Sequence, residues 1–322
     1  MKRFVFLLLL SLVVFSCRSK VSADLSKAES LFQHDPDSML SCLRRISPSQ
    51  LKSKKEKACY ALWMSAALDK NYIDVTSDTL IRKAIDYYSK NGDARHKMLT
   101  WYYYGIILKN SREYTAAIIA FEKAEKEALL MDDYYNLGLV FRNKALVFSH
   151  TLNGEEAINC HQKSILFFER AQAKAYKPYE ELALAIDYYN NKQFDEADSL
   201  LHKIEKQYSI PAVAYRCKLR LADILIAKDS LPGEAIEIYR QVPLKYYTSL
   251  EYARRALAFE IQQERDSSDY WLRKGYSKCR TYVDSASLDY MRSQIALKRG
   301  QFKDAYYLAN NAISVQDSLT RE

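Results

Sequence analysis

Apolar residues recur along this chain at intervals of three and four, which is the spacing of one face of an α-helix. Alternation with a period of two, typical of half-buried strands, is not apparent, and no Asn-Gly turn lies within an apolar context. The 7 glycines and 6 prolines fall mostly where helical patterns stop. The pattern therefore predicts an all-α fold.

A small residue returns at a fixed period within this helical pattern. Ala117, Ala157 and Ala197 lie forty residues apart, each just after a turn, and Ala235 and Ala305 follow similar turns. Such a period indicates stacked supersecondary units, and the alanine marks the point where the two helices of one hairpin cross closely. We expect about eight helical hairpins with a mean period in the high thirties.

One unit carries a full set of spaced residues. They are Trp101, Tyr104, Gly105 and Leu108 in its first helix, then Ala117, Phe121 and Ala124 in its second. This spacing resembles the tetratricopeptide repeat (TPR). The resemblance implies a right-handed α-solenoid whose first helices line a concave face. Gly105 and Ala117 are then expected where the two helices approach most closely.

The other units match the pattern less well. In the unit around Ala157, His161 and Ser164 stand where the pattern has an aromatic residue and an alanine. Residues 254–265 and 270–283 read as a degenerate hairpin around a turn at 266–269. Upstream of these units, 25–32 is expected to pair with 37–46, and 54–70 with 78–91.

The N-terminus has the order of regions of a signal peptide, predicted over residues 1–16. Lys2 and Arg3 precede an apolar run that is too short to span a bilayer. The run ends at Cys17 in a sequence that resembles the lipobox of bacterial lipoproteins, which implies lipidation of Cys17. The alternative is an ordinary secretory signal with Cys17 as a bystander. The predicted order is then a lipidated tether at 17–23, the TPR solenoid at 24–319 and a tail at 320–322.

Charge and cysteine content exclude several function classes. The formal net charge of +8 falls by two when residues 1–16 are removed, and no block of Lys and Arg stands out, so no nucleic-acid partner is expected. The cysteines after Cys17 are scattered, which argues against zinc and against a disulfide framework. Buried thiols are the favoured interpretation, with a Cys42–Cys59 bridge as the alternative.

Motifs for catalysis are not found either. The chain lacks G-x-S-x-G, H-E-x-x-H and glycine-rich phosphate loops, and its 5 histidines are dispersed. The sequence therefore predicts a protein that is not an enzyme and that needs no cofactor and no metal. His161 and His150 are interpreted as structural or solvent-facing residues.

Tyrosine is the unusual residue of the composition, with 26 copies, many of them adjacent. Tyr104 and Tyr188 fall on packing positions of the repeat, whereas Tyr102 and Tyr189 fall on the side expected to face the groove. In TPR proteins the ligand usually lies along the first helices, so the resemblance implies a partner-binding groove. Its candidate residues are Tyr102, Ile106, Lys109, Arg142, Asn143, Leu146, Tyr189, Asn190 and Arg220.

The groove residues resemble a peptide site, in which Arg and Asn would bind backbone or carboxylate groups. The TPR carboxylate-clamp pattern is only partly met, because Asn143 fits it while Tyr102 and Ile106 stand where lysine and asparagine are needed. The whole chain resembles TPR lipoproteins of Bacteroidota-type bacteria. The leading hypothesis is a lipid-anchored scaffold that binds a peptide or partner protein, on the outer membrane facing the periplasm. The alternatives are the sensor module of an envelope signalling regulator and a glycan-binding outer-membrane lipoprotein.

Overall fold

A computed structural model describes residues 20–228 and 231–320 of the chain. All regular structure in this part is helical, which confirms the all-α prediction. The helices are α1 (Lys20–Leu31), α2 (Pro36–Arg44), α3 (Lys54–Lys70), α4 (Arg82–Asn91), α5 (Ala94–Asn110), α6 (Tyr114–Leu130), α7 (Tyr134–His150), α8 (Gly154–Arg170), α9 (Lys177–Asn190), α10 (Phe194–Gln207), α11 (Pro211–Ala227), α12 (Pro232–Gln241), α13 (Ser249–Ile261), α14 (Arg265–Tyr276), α15 (Tyr282–Lys298) and α16 (Phe302–Thr320). None of these described helices has both the length and the apolar character to cross a membrane.

The helices form antiparallel hairpins in two compact units. The first unit ends at Asp133 and contains α1–α2, α3–α4 and α5–α6. The second begins at Tyr134 and contains the five hairpins from α7–α8 to α15–α16. The predicted number of hairpins is therefore confirmed, and the continuous solenoid over 24–319 stays a prediction.

Within each unit the second helix of a hairpin packs against its own partner and against the first helix of the next hairpin. First helices also contact one another, α1 with α3 and α3 with α5 in the first unit, and α9, α11, α13 and α15 in sequence in the second. Each unit is thus a stack in which one hairpin covers the apolar side of the next, as expected for helical repeats. Within each unit the first helices form one layer, which we call the first-helix layer of that unit.

Local sequence explains where several helices begin. Asp35 accepts a hydrogen bond from the Ser38 amide at 3.0 Å and precedes Pro36, a favourable first residue of a helix. Ser53 and Glu56 form a capping box at the start of α3. Residues 78–81 form turns, so α4 begins later than the sequence predicts, at Arg82.

Most hairpin turns end the preceding helix in the same way. One residue adopts a positive φ, and the amide of the following residue reaches the carbonyl five positions earlier, as in Glu113 N to Leu108 O at 2.8 Å. Glycine supplies this conformation at Gly300. Elsewhere the residues are Tyr72, Arg112, Asp132, Leu152, Gln172, Lys192 and Gln263. Because these are not glycines, the turns are hard to locate from sequence.

The close approach predicted at Gly105 is present. A Cβ added to Gly105 would lie 2.6 Å from the ring of Phe121 on α6, so this position admits only glycine without movement of its neighbours. Ala117 and Phe121 are both fully buried. The aromatic and small residues of the consensus unit therefore pack as the resemblance implies.

The prediction for residues 254–283 was wrong in register. The turn lies at Gln262–Glu264, where Gln263 has a φ of +65°, and the polar segment 266–269 forms the first turn of α14. Short polar side chains are favourable near a helix N-terminus, so this segment begins a helix rather than separating two. The predicted hairpin therefore becomes α13–α14, and residues 282–298 form α15.

The cysteines of the described residues are all free thiols, so the alternative Cys42–Cys59 bridge is not formed. Cys42, Cys160 and Cys217 are buried, as expected. Cys17 and the predicted signal peptide at 1–16 lie outside the described residues. α1 begins at Lys20, earlier than the predicted start of the solenoid at residue 24.

Candidate ligand-binding face

Three candidate groove residues, Tyr102, Ile106 and Lys109, lie on α5 in the first unit. Tyr102 is only 6% exposed, and its ring centroid lies 5.1 Å from that of Tyr103 and 6.2 Å from that of Phe121. Ile106 is also buried. The burial leaves little of the Tyr102 ring to stack on a sugar, which the glycan hypothesis requires of it.

Lys109 is the one of these three that remains partly exposed. It faces Asp69 of α3: burial raises the pKa of Asp69, while the charges of Lys109 and Lys70 lower it in part. A small cavity of about 10 Å³ lies nearby, lined by Asp69, Ile106 and other residues of α3 and α5. Its volume is about that of a single water position, too small for a ligand.

In the second unit, α7 carries Arg142, Asn143 and Leu146. Asn143 is buried, and its amide donates to the Leu139 carbonyl at 3.0 Å, so it stabilises its own helix. Leu146 is 37% exposed. Arg142 is 34% exposed in its side chain, and its Nε donates to Glu180 Oε1 at 2.9 Å.

Two residues hold the guanidinium of Arg142 in place. Glu180 on α9 is 1% exposed, and the Tyr176 ring lies 5.7 Å from the guanidinium carbon. The ion pair with Glu180 fixes the guanidinium at Nε, and the side chain is still 34% exposed. Arg142 is therefore a partly exposed cation on a rigid support.

A buried polar cluster lies beneath Arg142. His161 Nδ1 is 3.2 Å from Glu180 Oε2, and His161 Nε2 is 3.4 Å from Asp187 Oδ2. The Ser164 hydroxyl is 3.0 Å from Glu180 Oε2, and the Ser149 hydroxyl is 2.8 Å from Asp187 Oδ1. This cluster joins α7, α8 and α9 through polar contacts at a level where the consensus repeat has only apolar ones.

The sequence contained the signal for this cluster, although its meaning was missed. His161 and Ser164 replace the aromatic residue and the alanine of the repeat, and two acids, Glu180 and Asp187, follow on the next helix at a spacing of seven. That spacing places both acids on one helix face. A polar substitution at a packing position, paired with acids on the adjoining helix, predicts a buried ionic cluster.

The end of α9 carries Tyr189 and Asn190. Asn190 is exposed, whereas Tyr189 is largely covered, and the Arg254 guanidinium lies 5.8 Å from its ring centroid. Burial raises the pKa of the Tyr189 hydroxyl, and the charges of Asp223 and Arg254 act on it in opposite directions. Tyr290 of α15 also raises the pKa of this hydroxyl, so groups on α11, α13 and α15 all influence it.

Arg220 belongs to a second ionic cluster in which its guanidinium is fully engaged. Its Nη1 lies 2.8 Å from Asp223 Oδ2, and its Nη2 contacts Glu251. Arg254 Nη1 is 2.7 Å from Asp223 Oδ2, and the buried Tyr239 hydroxyl donates to Asp223 Oδ1 at 2.6 Å. Two arginines thus balance two carboxylates, and Arg220 links α11 to α13 rather than standing open to a ligand.

Exposed aromatic residues also lie on the first helices of the second unit. Tyr179 on α9 and Tyr290 on α15 are each close to half exposed. Within residues 20–228 and 231–320, no group of three or more His, Cys, Asp or Glu side chains is arranged to hold a metal ion. The arrangement on α7 and α9, a supported cation between apolar and aromatic side chains, is suited to binding a peptide-like group.

Comparison with known proteins bears on the fold. No protein-family model matches the chain. No curated protein matches it. Among solved structures, the chain is similar to NprR in complex with its cognate peptide NprX, with a TM-score of 0.65 and 16% identity over 92% of this chain and 89% of that one.

Two further structures show the same similarity. The apo form of the quorum sensor NprR from B. thuringiensis gives a TM-score of 0.66 with 18% identity, covering 92% of this chain and 88% of that one. A tetratricopeptide repeat protein from Parabacteroides merdae gives 0.59 with 14% identity, covering 83% of this chain and 98% of that one. At these identities the similarity concerns the fold alone, and the fold is that of TPR-like helical repeat proteins.

Proposed function

We propose that this protein is a non-enzymatic scaffold that binds a peptide or a partner protein on the first-helix layer of its second unit. The ligand face consists of side chains on α7 and α9: Arg142, Leu146, Tyr179, Tyr189 and Asn190. The observation that carries the proposal is the position of Arg142, whose Nε is fixed by buried Glu180 while its side chain stays 34% exposed. A guanidinium held in this way is preorganised to bind a carboxylate or a backbone carbonyl.

The surroundings of Arg142 support a peptide more than a small ion. Leu146 lies one helical turn further along α7, and Tyr179 is exposed at the start of α9. Apolar and aromatic contacts beside a polar anchor are the usual composition of a peptide-binding surface. NprR, a protein of similar fold, has been solved with a peptide bound, which is consistent with this use of the fold.

The ligand face is tested with a matched pair of leucines. Peptides are first selected from a random displayed library for binding to the full-length wild-type protein. Their affinities for the wild type, Leu146→Asp and Leu166→Asp are then measured by calorimetry. Leu166 is 44% exposed on α8, close to the 37% of Leu146, but lies on a second helix. We expect Leu146→Asp to weaken binding about tenfold or more and Leu166→Asp to leave it within about twofold. Equal effects of the two substitutions would contradict the proposed face.

Arg142→Gln gives an independent test of the anchor. Glutamine still reaches toward Glu180 but cannot make a bidentate contact with a carboxylate. We expect peptides with a free carboxyl terminus to lose more affinity on this substitution than the same peptides with an amidated terminus. The same loss for both would show that Arg142 does not bind the carboxylate.

The anchor is part of the proposal as well. We infer that Cys17 is lipidated and holds the protein on the outer membrane facing the periplasm, because the sequence before it resembles a lipobox. Metabolic palmitate labelling of the wild type should give a labelled band that Cys17→Ala lacks. Label on both proteins would refute the anchor while leaving the ligand face untouched.

A further inference from the structure

His161 has a carboxylate at each of its ring nitrogens. Nδ1 is 3.2 Å from Glu180 Oε2 and Nε2 is 3.4 Å from Asp187 Oδ2, with all three residues buried. A neutral imidazole carries one N–H, and its other nitrogen is an acceptor. With both carboxylates ionised, a neutral His161 would therefore direct a lone pair at a carboxylate oxygen inside the protein, which is unfavourable.

One additional proton removes this conflict, and two positions can hold it. It can be the second N–H of an imidazolium, or it can be on Asp187 Oδ2 and donate to His161 Nε2. Burial raises the pKa of Asp187, although His161 and Ser149 oppose the shift, so the carboxylic acid form is within reach. Asp187 Oδ2 makes no hydrogen bond among the described residues, so the 3.4 Å approach of His161 Nε2 is an electrostatic contact.

The charges around His161 show why this proton matters. α7 contributes Arg142 to the cluster, and α9 contributes Glu180 and Asp187. α8, which carries His161, also contributes the Ser164 hydroxyl. The neighbouring thiol of Cys160 is also buried. With the additional proton these charges sum to zero, and without it they sum to −1, while His161, Glu180 and Asp187 are buried.

We propose that this shared proton is a pH switch for the C-terminal end of α9. Asp187 lies just before Tyr189 and Asn190, which belong to the ligand face. Loss of the proton leaves Asp187 repelled by His161 Nε2, and this end of α9 then separates from α8. The effect on ligand binding rests on the proposed function, whereas the switch itself belongs to the free chain.

The direction of the pH dependence follows from proton linkage. The folded cluster binds one proton more than the same residues bind in the opened state, so raising the pH favours opening. One linked proton raises the opening constant of α9 by up to about tenfold per pH unit. This rise begins at the pH at which the opened residues lose the proton and ends at the pH at which the folded cluster loses it. Amide exchange in α9 reports this constant directly.

The test is hydrogen exchange of the full chain without ligand, followed by mass spectrometry from pH 6 to pH 9 and corrected for intrinsic rates. Asp187→Asn supplies a neutral side chain of the same shape whose amide donates to His161 Nε2. We expect the opening constant of α9 to rise with pH in the wild type and to stay constant with pH in Asp187→Asn. A flat wild-type profile, or equal slopes in both, would overturn the switch.

A control variant and a second measurement accompany this test. Glu169→Gln removes an acid of α8 that pairs at the surface with Lys177, and it should retain the wild-type slope. If Asp187→Asn fails to fold, ¹⁵N shifts of the His161 ring in the wild type decide: they should change with pH together with α9 exchange, and constant shifts overturn the proposal. If the peptide titrations contradict the proposed ligand face while this pH dependence is observed, only the ligand face is refuted and the switch is retained.

Discussion

Gly138 and Phe168 make, in the α7–α8 hairpin, the contact that Gly105 and Phe121 make in α5–α6. A Cβ on Gly138 would lie 2.7 Å from the Phe168 ring, against 2.6 Å for Gly105 and Phe121. Gly138 lies seven residues before the position that is forty residues after Gly105. Phe168 likewise lies seven residues after His161, which is forty residues after Phe121. The close contact has therefore moved two helical turns along the hairpin, and the original place is filled by the polar cluster of His161.

Replacement of Gly138 tests this contact. Alanine favours the helix by about 1 kcal/mol, but its methyl group overlaps a fully buried ring, so we expect Gly138→Ala to lower the free energy of unfolding by about 1–2 kcal/mol net. Urea denaturation measures it. Gly233→Ala is the control, since its methyl group would meet only the flexible end of Gln262. Equal stability of the two variants would show that the Phe168 ring moves aside without cost.

The displaced contact shows what sequence could and could not predict. Gly105, Phe121 and the buried alanines follow from the repeat pattern, because close helix crossing requires small residues whatever surrounds them. The repeat pattern predicts a helix face for Arg220 and Tyr102, but their exposure depends on partners elsewhere in the chain. Glu251 on α13 engages Arg220, and Phe121 covers Tyr102, and neither relation has a signature in local spacing.

The residues with positive φ at the hairpin turns offer a second prediction. Lys192 has a φ of +62° and Gly300 a φ of +74° at equivalent turns. A side chain in the left-handed region costs about 1 kcal/mol relative to glycine. We therefore expect Lys192→Gly to raise the free energy of unfolding by up to about 1 kcal/mol and Gly300→Ala to lower it by a similar amount, both measured by thermal and urea unfolding. Changes of the same sign in both would contradict the explanation.

Burial of two thiols leads to a prediction about cysteine reactivity. Burial, with a smaller contribution from Glu29, raises the pKa of Cys59 to about 11, and burial with Glu205 raises that of Cys217 to about 12. Because the thiolate is the reactive species, alkylation by iodoacetamide at pH 8 should be slowed more than about 100-fold relative to the unfolded chain. Mass spectrometry of native and guanidinium-treated protein gives both rates, and rapid native labelling of Cys217 would be inconsistent with its burial.

The cluster of Arg220 and Glu251 leads to a prediction about acid stability. Burial alone would raise the pKa of Glu251, but Arg220, Thr248 and Arg254 together hold it below the usual value of 4.5. A carboxyl group whose pKa is lower in the folded state stabilises the fold above its usual pKa. That contribution is lost as the pH falls through the lower, folded-state value. The wild type should therefore lose stability below about pH 4.5, partly through this residue.

Glu251→Gln separates this contribution from the rest. At pH 7 it leaves two arginines facing Asp223 alone, so we expect a loss of roughly 3 kcal/mol in the free energy of unfolding. At pH 3 the difference from the wild type should narrow, because protonation has already removed the charge. Glu237→Gln, which breaks an exposed pair with Arg240, should cost less than about 0.5 kcal/mol at either pH. A Glu251→Gln deficit that is constant with pH would mean that the carboxylate charge does not hold α11 to α13, and the engagement of Arg220 would need another cause.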